Sequence, residues 1–234
     1  MATRIARGFG QYGGVARALE RVGERWALLI VRDLLAGARR YSDLKAGLPR
    51  IPTNILSDRL KELQEAGVVR RVPTVRGGYE LTSLGRALEP MVLELERWGW
   101  AVLSDIGDGE VLTADALAMT LRAAFQPAEA LELPSTEYVL HVNDVSVSAI
   151  VDGATLDVTA VGPGALPSPL RQLDTPGSLA LLELTLEPGG LRDLLGGGVG
   201  PRGVDPELLT RFRRTFRIVP GGERKAPGRD AAVA

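Results

Sequence analysis

Cysteine is absent from this chain of 234 residues. That absence excludes disulfides and any sensor built on a thiol, and it fits a cytoplasmic protein. Histidine occurs once, at His141. With no cysteine and no second histidine, neither a metal site nor a Ser-His-acid triad is expected, and His141 reads as a surface or edge residue. Long apolar runs are missing too. The stretch Trp26 to Val31 is closed by Arg32 and Asp33, well short of the roughly 18 residues that span a bilayer. Arg4 and Arg7 have no apolar region behind them, so no signal peptide is expected. The glycine-rich run from Gly196 to Gly203 lacks the Lys-Ser/Thr pair that a phosphate loop needs. The carboxylates of the second half are scattered over turns and helix starts. No catalytic constellation, no cofactor and no metal are expected, and the chain does not read as an enzyme.

What is present looks globular. Apolar residues make up 45% and charged residues 24% of a chain long enough for two small domains. The net charge of -1 hides an asymmetry. Residues 1–107 hold 17 Lys and Arg against 12 Asp and Glu, whereas residues 108–234 hold 11 against 17. The basic half suits a polyanion; the acidic half would be repelled by one and should face away from it. Gly107-Asp108-Gly109 separates them, so we expect one domain over 1–107, a second over 108–220, and a disordered tail over 221–234 of glycine, proline and charge.

The richest stretch runs from Tyr41 to Leu84. Helices are expected over Val15–Val22 and Arg25–Leu35, split at Gly23. The second is apolar around most of its girth and should be buried. Ser42 is expected to cap a short helix ending at Gly47, and Leu48-Pro49-Arg50-Ile51-Pro52 reads as a turn. The next helix, from about Thr53 to Ala66, stops at Gly67 and carries an inward stripe of Leu56, Leu60 and Leu63. Short strands over Val68–Val72 and Tyr79–Leu81 flank a wing turn at Gly77-Gly78. Thr82 then caps a long helix with the stripe Leu84, Leu88, Val92, Leu95, Trp98 and Val102. So long a stripe is hard to bury within one small domain. A dimer contact through Leu88, Val92, Leu95 and Trp98 is the preferred reading, and packing against the second domain is the other.

That order is a winged helix-turn-helix, a unit that places a helix in a DNA groove. Cations hold phosphates, and polar side chains on a helix's first turns read base edges. Arg39, Arg40 and Tyr41 precede the first helix of the motif, and Arg50 sits in the turn. Thr53, Asn54 and Ser57 front the recognition helix, with Arg59 and Lys61 beside them. Arg70, Arg71, Thr74 and Arg76 decorate the wing. Asp58 is the odd acidic member. Double-stranded DNA is the expected partner.

The region Gly14 to Trp100 resembles the HxlR-type regulators, close relatives of the MarR group. The matches are VARAL followed by GERW, LLIVRDL, ILSDRLKEL, YELTSLGRAL and the closing Trp98-Gly99. The resemblance implies a homodimeric bacterial transcription factor whose recognition helices enter successive major grooves, with half-sites about 34 Å apart. Many members carry a cysteine before the first helix; this chain has Gly13-Gly14 there, so the signal must enter elsewhere.

In the second half, Asp115–Phe125 reads as an amphipathic helix, and strands follow over Glu137–Val142, Val145–Val151 and Thr155–Val161. They are joined by tight turns at Asn143-Asp144 and Asp152-Gly153. Ser178–Leu186 and Gly190–Leu195 read as short helices. Asp205-Pro206-Glu207 starts a last helix carrying Leu208, Leu209, Phe212 and Phe216. Residues 112–219 resemble a sterol-carrier-protein-like domain, on GVDPELLTRF, LRAAF and the three-strand meander. The resemblance implies a curved antiparallel sheet with helices on one side and an apolar tunnel. From the alternation, Leu117, Leu121, Val139, Val147, Phe212 and Phe216 are candidates to line it, or are plain core.

The fold class expected is therefore α+β, a winged helix-turn-helix followed by a sterol-carrier-like domain. The expected function is a ligand-responsive regulator, by preference a repressor, that binds a palindromic operator as a homodimer and senses an apolar, lipid-like small molecule. A carrier protein that uses its helix-turn-helix to contact protein is the alternative. No membrane partner is expected.

Overall fold

The computed structural model describes residues 8–73, 78–162 and 179–218. It divides into two compact units, Met1–Val92 and Leu93–Ala234. The division falls upstream of Gly107-Asp108-Gly109.

The first unit opens with α1 (Gly14–Val22) and α2 (Ala27–Leu35). Trp26 precedes α2 with a positive φ of 79°, and the Arg25 guanidinium lies 5.2 Å from its ring centre. Helix α2 buries Ile30, Val31 and Leu34, but Leu29 is exposed. Its apolar girth is thus only partly covered. Helix α3 (Tyr41–Gly47) follows. Its cap is Arg40 rather than Ser42: the Arg40 N–H donates to the Asp43 carboxylate at 2.9 Å. Next comes α4 (Thr53–Glu65), which buries Leu56, Leu60 and Leu63. It ends in a Schellman turn. Gly67 has φ 73°, its N–H donates to the Gln64 carbonyl, and the Val68 N–H donates to the Leu63 carbonyl.

Strands β1 (Val69–Val72) and β2 (Gly78–Leu81) form the antiparallel wing. Arg39 and Tyr79 exchange backbone hydrogen bonds of 2.9 and 2.7 Å, which adds a third short strand segment. Thr82 caps α5 (Ser83–Arg86): its hydroxyl accepts from the Gly85 N–H and donates to the Gly67 carbonyl. Gly85 is required there, because a Cβ would stand 2.2 Å from the Val68 carbonyl oxygen.

The single long helix expected after Thr82 is two helices, α5 and α6 (Glu89–Trp100). Pro90 explains the break, since it has no N–H to give to the Arg86 carbonyl and its ring crowds that turn. Val102 lies beyond the helix end.

Within the second unit, the last turns of α6 dock on α7 (Ala114–Ala124). The Glu96 carboxylate accepts from the Thr120 hydroxyl at 2.7 Å and the Trp100 indole N–H at 3.2 Å, and the Arg97 Nε donates to the Ala123 carbonyl. A short α8 (Pro127–Ala130) leads to β3 (Thr136–Val142), β4 (Val145–Asp152) and β5 (Thr155–Val161). These form the expected meander. Asn143 and Gly153 supply the positive φ values that tight hairpins need.

Two expectations fail here. Ala180–Leu186 is a strand, β6, not a helix. Its buried residues alternate as Leu182, Leu184 and Leu186, with Leu181, Glu183 and Thr185 on the other face, a period of two. The sheet is also mixed rather than antiparallel: its order is β5-β4-β3-β6, and β6 runs parallel to β3. Helices α9 (Pro188–Leu195) and α10 (Pro206–Thr215) follow. Asp205 caps α10 through hydrogen bonds from the Glu207 and Leu208 N–H groups.

One sheet face and these helices enclose an apolar core. Leu117, Leu121, Val147, Phe212 and Phe216 are all fully buried in it. Tyr138, Phe212 and Phe216 pack ring to ring at 5.0 to 5.4 Å. Val139 is the exception among the six candidate lining residues. It faces the opposite side of the sheet, because Tyr138 and Leu140 hold the inward positions of β3.

Candidate nucleic-acid interface

Helix α4 has two faces. Leu56, Leu60 and Leu63 point into the core, so Thr53, Asn54, Ser57, Asp58 and Lys61 are turned out and exposed. Its cap, Pro52, makes no side-chain hydrogen bond to the first turn. The first-turn N–H groups and the positive end of the helix dipole therefore favour an anion. Tyr41 ties α3 to this end: its phenol O–H donates to the Thr53 carbonyl at 2.8 Å, and the Ser57 hydroxyl lies 3.3 Å from the phenol oxygen. Tyr41 thus sets the angle at which the helix is presented.

Among the cations, Arg40 and Arg50 are exposed beside the turn. Arg39 is half-buried, with its backbone committed to Tyr79. Arg59 does not join the exposed face. Its side chain is only 15% exposed and is paired with Glu62 and Glu24. The i,i+3 spacing to Glu62 turns it along the helix. On the wing, Arg70 is taken up by Glu80, whereas Arg71, on the other face of the ribbon, donates to the Tyr79 phenol at 3.1 Å and lies over its ring. Thr74 and Arg76 lie outside the described residues.

Several of these residues converge. Tyr41 of α3, Ser57, Lys61 and Gln64 of α4, and Arg71 and Tyr79 of the wing line one open recess of about 510 Å³. Gln64 and Tyr79 are the members that sequence reasoning missed. Gln64 lies three residues past Lys61 on the same helical face, and Tyr79 is the strand partner of Arg71; both spacings are visible in the sequence.

A second polar group was not anticipated. On the open face of the mixed sheet, His141 Nδ1 lies 2.7 Å from the Ser146 hydroxyl, and Nε2 lies 2.8 Å from Glu183. An ionised Glu183 only accepts, so Nε2 carries the proton, and in the neutral imidazole Nδ1 then accepts from Ser146. This is a Ser-His-acid chain, contrary to the expectation that none could form. It required β6, which brings Glu183 alongside β3. Among the described residues, the backbone beside Ser146 offers it no free donors for an oxyanion hole. Strands β3 and β4 each have a neighbour on both sides, and their backbone N–H groups are spent on the ladder. Among the described residues there is no cluster of three or more metal-ligating side chains, and no helix is long and apolar enough to cross a membrane.

A trihelical core with an exposed helix and a two-stranded wing defines a winged helix-turn-helix. Residues 21–106 match the model of the HxlR-like helix-turn-helix family. Over 86 residues the chain is 43% identical to the uncharacterized HTH-type transcriptional regulator YvaP of Bacillus subtilis, covering 35% of this chain and 80% of that protein. An uncharacterized HTH-type transcriptional regulator of Mycobacterium tuberculosis is 46% identical over 89 residues, which cover 36% of this chain and 56% of that one. Among solved structures, quinone-bound YodB from B. subtilis aligns at 32% identity and a TM-score of 0.34, over 36% of this chain and 93% of that chain. The chain belongs to the HxlR-like helix-turn-helix family, and it is a transcriptional regulator of that type.

Proposed function

We propose that the protein is a homodimeric repressor that reads a palindromic operator and is switched by an apolar small molecule held in its second unit. The outward stripe of Thr53, Asn54, Ser57 and Lys61 carries this reading, backed by a fully buried leucine stripe on the same helix. The Ser57 hydroxyl is bonded to Tyr41 and Thr53, and the rest of that face is turned to solvent. With Arg40, Arg50 and Arg71 near it, the face suits phosphates and base edges.

Dimerisation is supported by α6. Leu95 is 45% and Trp98 64% exposed, and Met91 continues the same line one turn earlier. Apolar exposure of that kind marks a contact surface. Val92 is only 5% exposed and Leu88 half-buried, so the contact would rest on the outer positions. The order of elements in the second unit, most of which lies beyond the family match, supports a sterol-carrier-like sensor domain. Its apolar interior is the place for an apolar effector, which would enter by parting the Tyr138, Phe212 and Phe216 rings. A ligand switches the protein only if it binds one arrangement better than the other.

The test is selection of bound sequences from a random duplex library, with mass measurement of the complex. An inverted repeat with half-site centres about 10 base pairs apart, bound by two chains, is expected. Enrichment of no sequence would reject the regulator reading for this chain.

A further inference from the structure

We infer that Glu96 and Arg97 are positioning residues. They fix how α6 lies on α7, and so where the outer face of α6 stands for a second copy of the chain, which rests on the reading of α6 as the dimer contact. Helix α6 has two opposed faces. At about 100° of turn per residue, Met91, Leu95 and Trp98 fall along one line, and Glu96, Arg97 and Trp100 fall across the helix axis from it. The first line is exposed, and the second is half-buried.

The half-buried line meets α7 through directed bonds. Glu96 Oε1 accepts from the Thr120 hydroxyl at 2.7 Å and from the Trp100 indole at 3.2 Å. Arg97 Nε donates at 2.7 Å to the Ala123 carbonyl, in the last turn of α7, where carbonyls have no partner within their own helix. Thr120 is only 5% exposed, so the Glu96 carboxylate reaches a buried donor. Bringing a carboxylate there costs desolvation that an apolar side chain would avoid. In return the bonds select one rotation and one height of α6 on α7, where apolar contacts alone would let the helix slide. Behind these bonds lies the apolar core. Leu117 and Leu121 of α7 belong to it, and Trp100 packs against it. The family match ends at residue 106, so α6 lies in the matched part and α7 beyond it. Glu96 and Arg97 are therefore the residues through which the added core sets the stance of a helix that the family match includes.

The test follows dimerisation of the full chain by sedimentation velocity, with hydrogen exchange of the α6 amides at a dilution where the chain is monomeric as a second readout. The variants are Glu96→Ala and Thr120→Val, with Thr120→Ser keeping the hydroxyl. None of them alters the outer face. Glu96→Ala and Thr120→Val should each weaken the dimer about tenfold and speed exchange in the last turns of α6 by a similar factor, whereas Thr120→Ser should stay within about twofold of wild type. A contact that only stabilises the second unit would lower its melting and leave the dimer constant unchanged, and that result overturns the inference. A wild-type chain that stays monomeric at every concentration would sink the dimer reading. The exchange measurement then still decides the hold of α7 on α6, and unaltered exchange in both variants would overturn it.

Discussion

The recognition helix and the open face of the second sheet both turn polar side chains to solvent, and they use them differently. On α4, Thr53 and Asn54 make no side-chain hydrogen bond among the described residues. On the sheet, Ser146, His141 and Glu183 bond one another, as do Ser148 and Glu137 at 2.6 Å. Polar groups that satisfy each other leave little for a ligand to gain, because each new bond must first break an old one. Groups held outward by a buried stripe, with their hydrogen-bonding capacity spent only on water, can exchange that water for a base edge.

The sharpest way to break this contrast is to remove its support. Phe212→Ala opens a cavity in the core beneath the second sheet and should cost about 3–5 kcal/mol, seen as a fall of roughly 10 °C in that unit's melting transition. Unchanged melting would mean that the aromatic cluster is not packed as described. Next in size, Asn54→Ala should weaken operator binding by about 1–3 kcal/mol and relax the preference at one position, with no change in melting. Arg59→Ala is its control: the Glu62 pairing predicts an unaltered salt slope for DNA binding, whereas Arg50→Ala should lower that slope by about one. A slope that drops in Arg59→Ala would return Arg59 to the interface.

Smaller again, His141→Gln should change stability by about 1 kcal/mol or less and leave DNA affinity as it was. Ester hydrolysis that disappears with this substitution would contradict a purely structural Ser146-His141-Glu183 chain. The smallest effect belongs to Glu20. The Arg17 guanidinium, and then the Phe9 N–H, hold its carboxyl below the usual glutamate value. A lowered folded value means that the stabilisation is complete above the ordinary glutamate pKa and is lost as pH falls through the folded one. The Phe9 amide resonance should titrate with a midpoint below that ordinary value. A midpoint at or above it would mean that the contact does not hold in solution.

Much of the first unit could be read from spacing alone. The Leu56, Leu60, Leu63 stripe places the outward face of α4, and Gly67 marks its end. In the second unit the Asp205-Pro206 start and the two hairpin turns were equally plain, because caps and turns are local chemistry. What stayed hidden depended on distant partners. Ala180–Leu186 is a short apolar run that fits helix or strand by composition, and only its pairing with β3 decides. The Ser146-His141-Glu183 chain follows from the same pairing. Arg59 looked like its neighbours because charge alone does not reveal which anion claims it. The break at Pro90 was visible, and an apolar stripe running across it masked the proline's effect.

The parallel pairing of β6 with β3 also has a consequence in time. Antiparallel neighbours joined by two-residue turns meet within microseconds, but β6 must wait for the chain from Val142 to Ala180 to close on itself. Non-local pairs of this kind slow folding. The first unit leaves the ribosome first, and its own longest pairing, Arg39 with Tyr79, can close before β6 is made. During synthesis the cell therefore holds, for a while, a DNA-reading unit whose companion has yet to form its sheet.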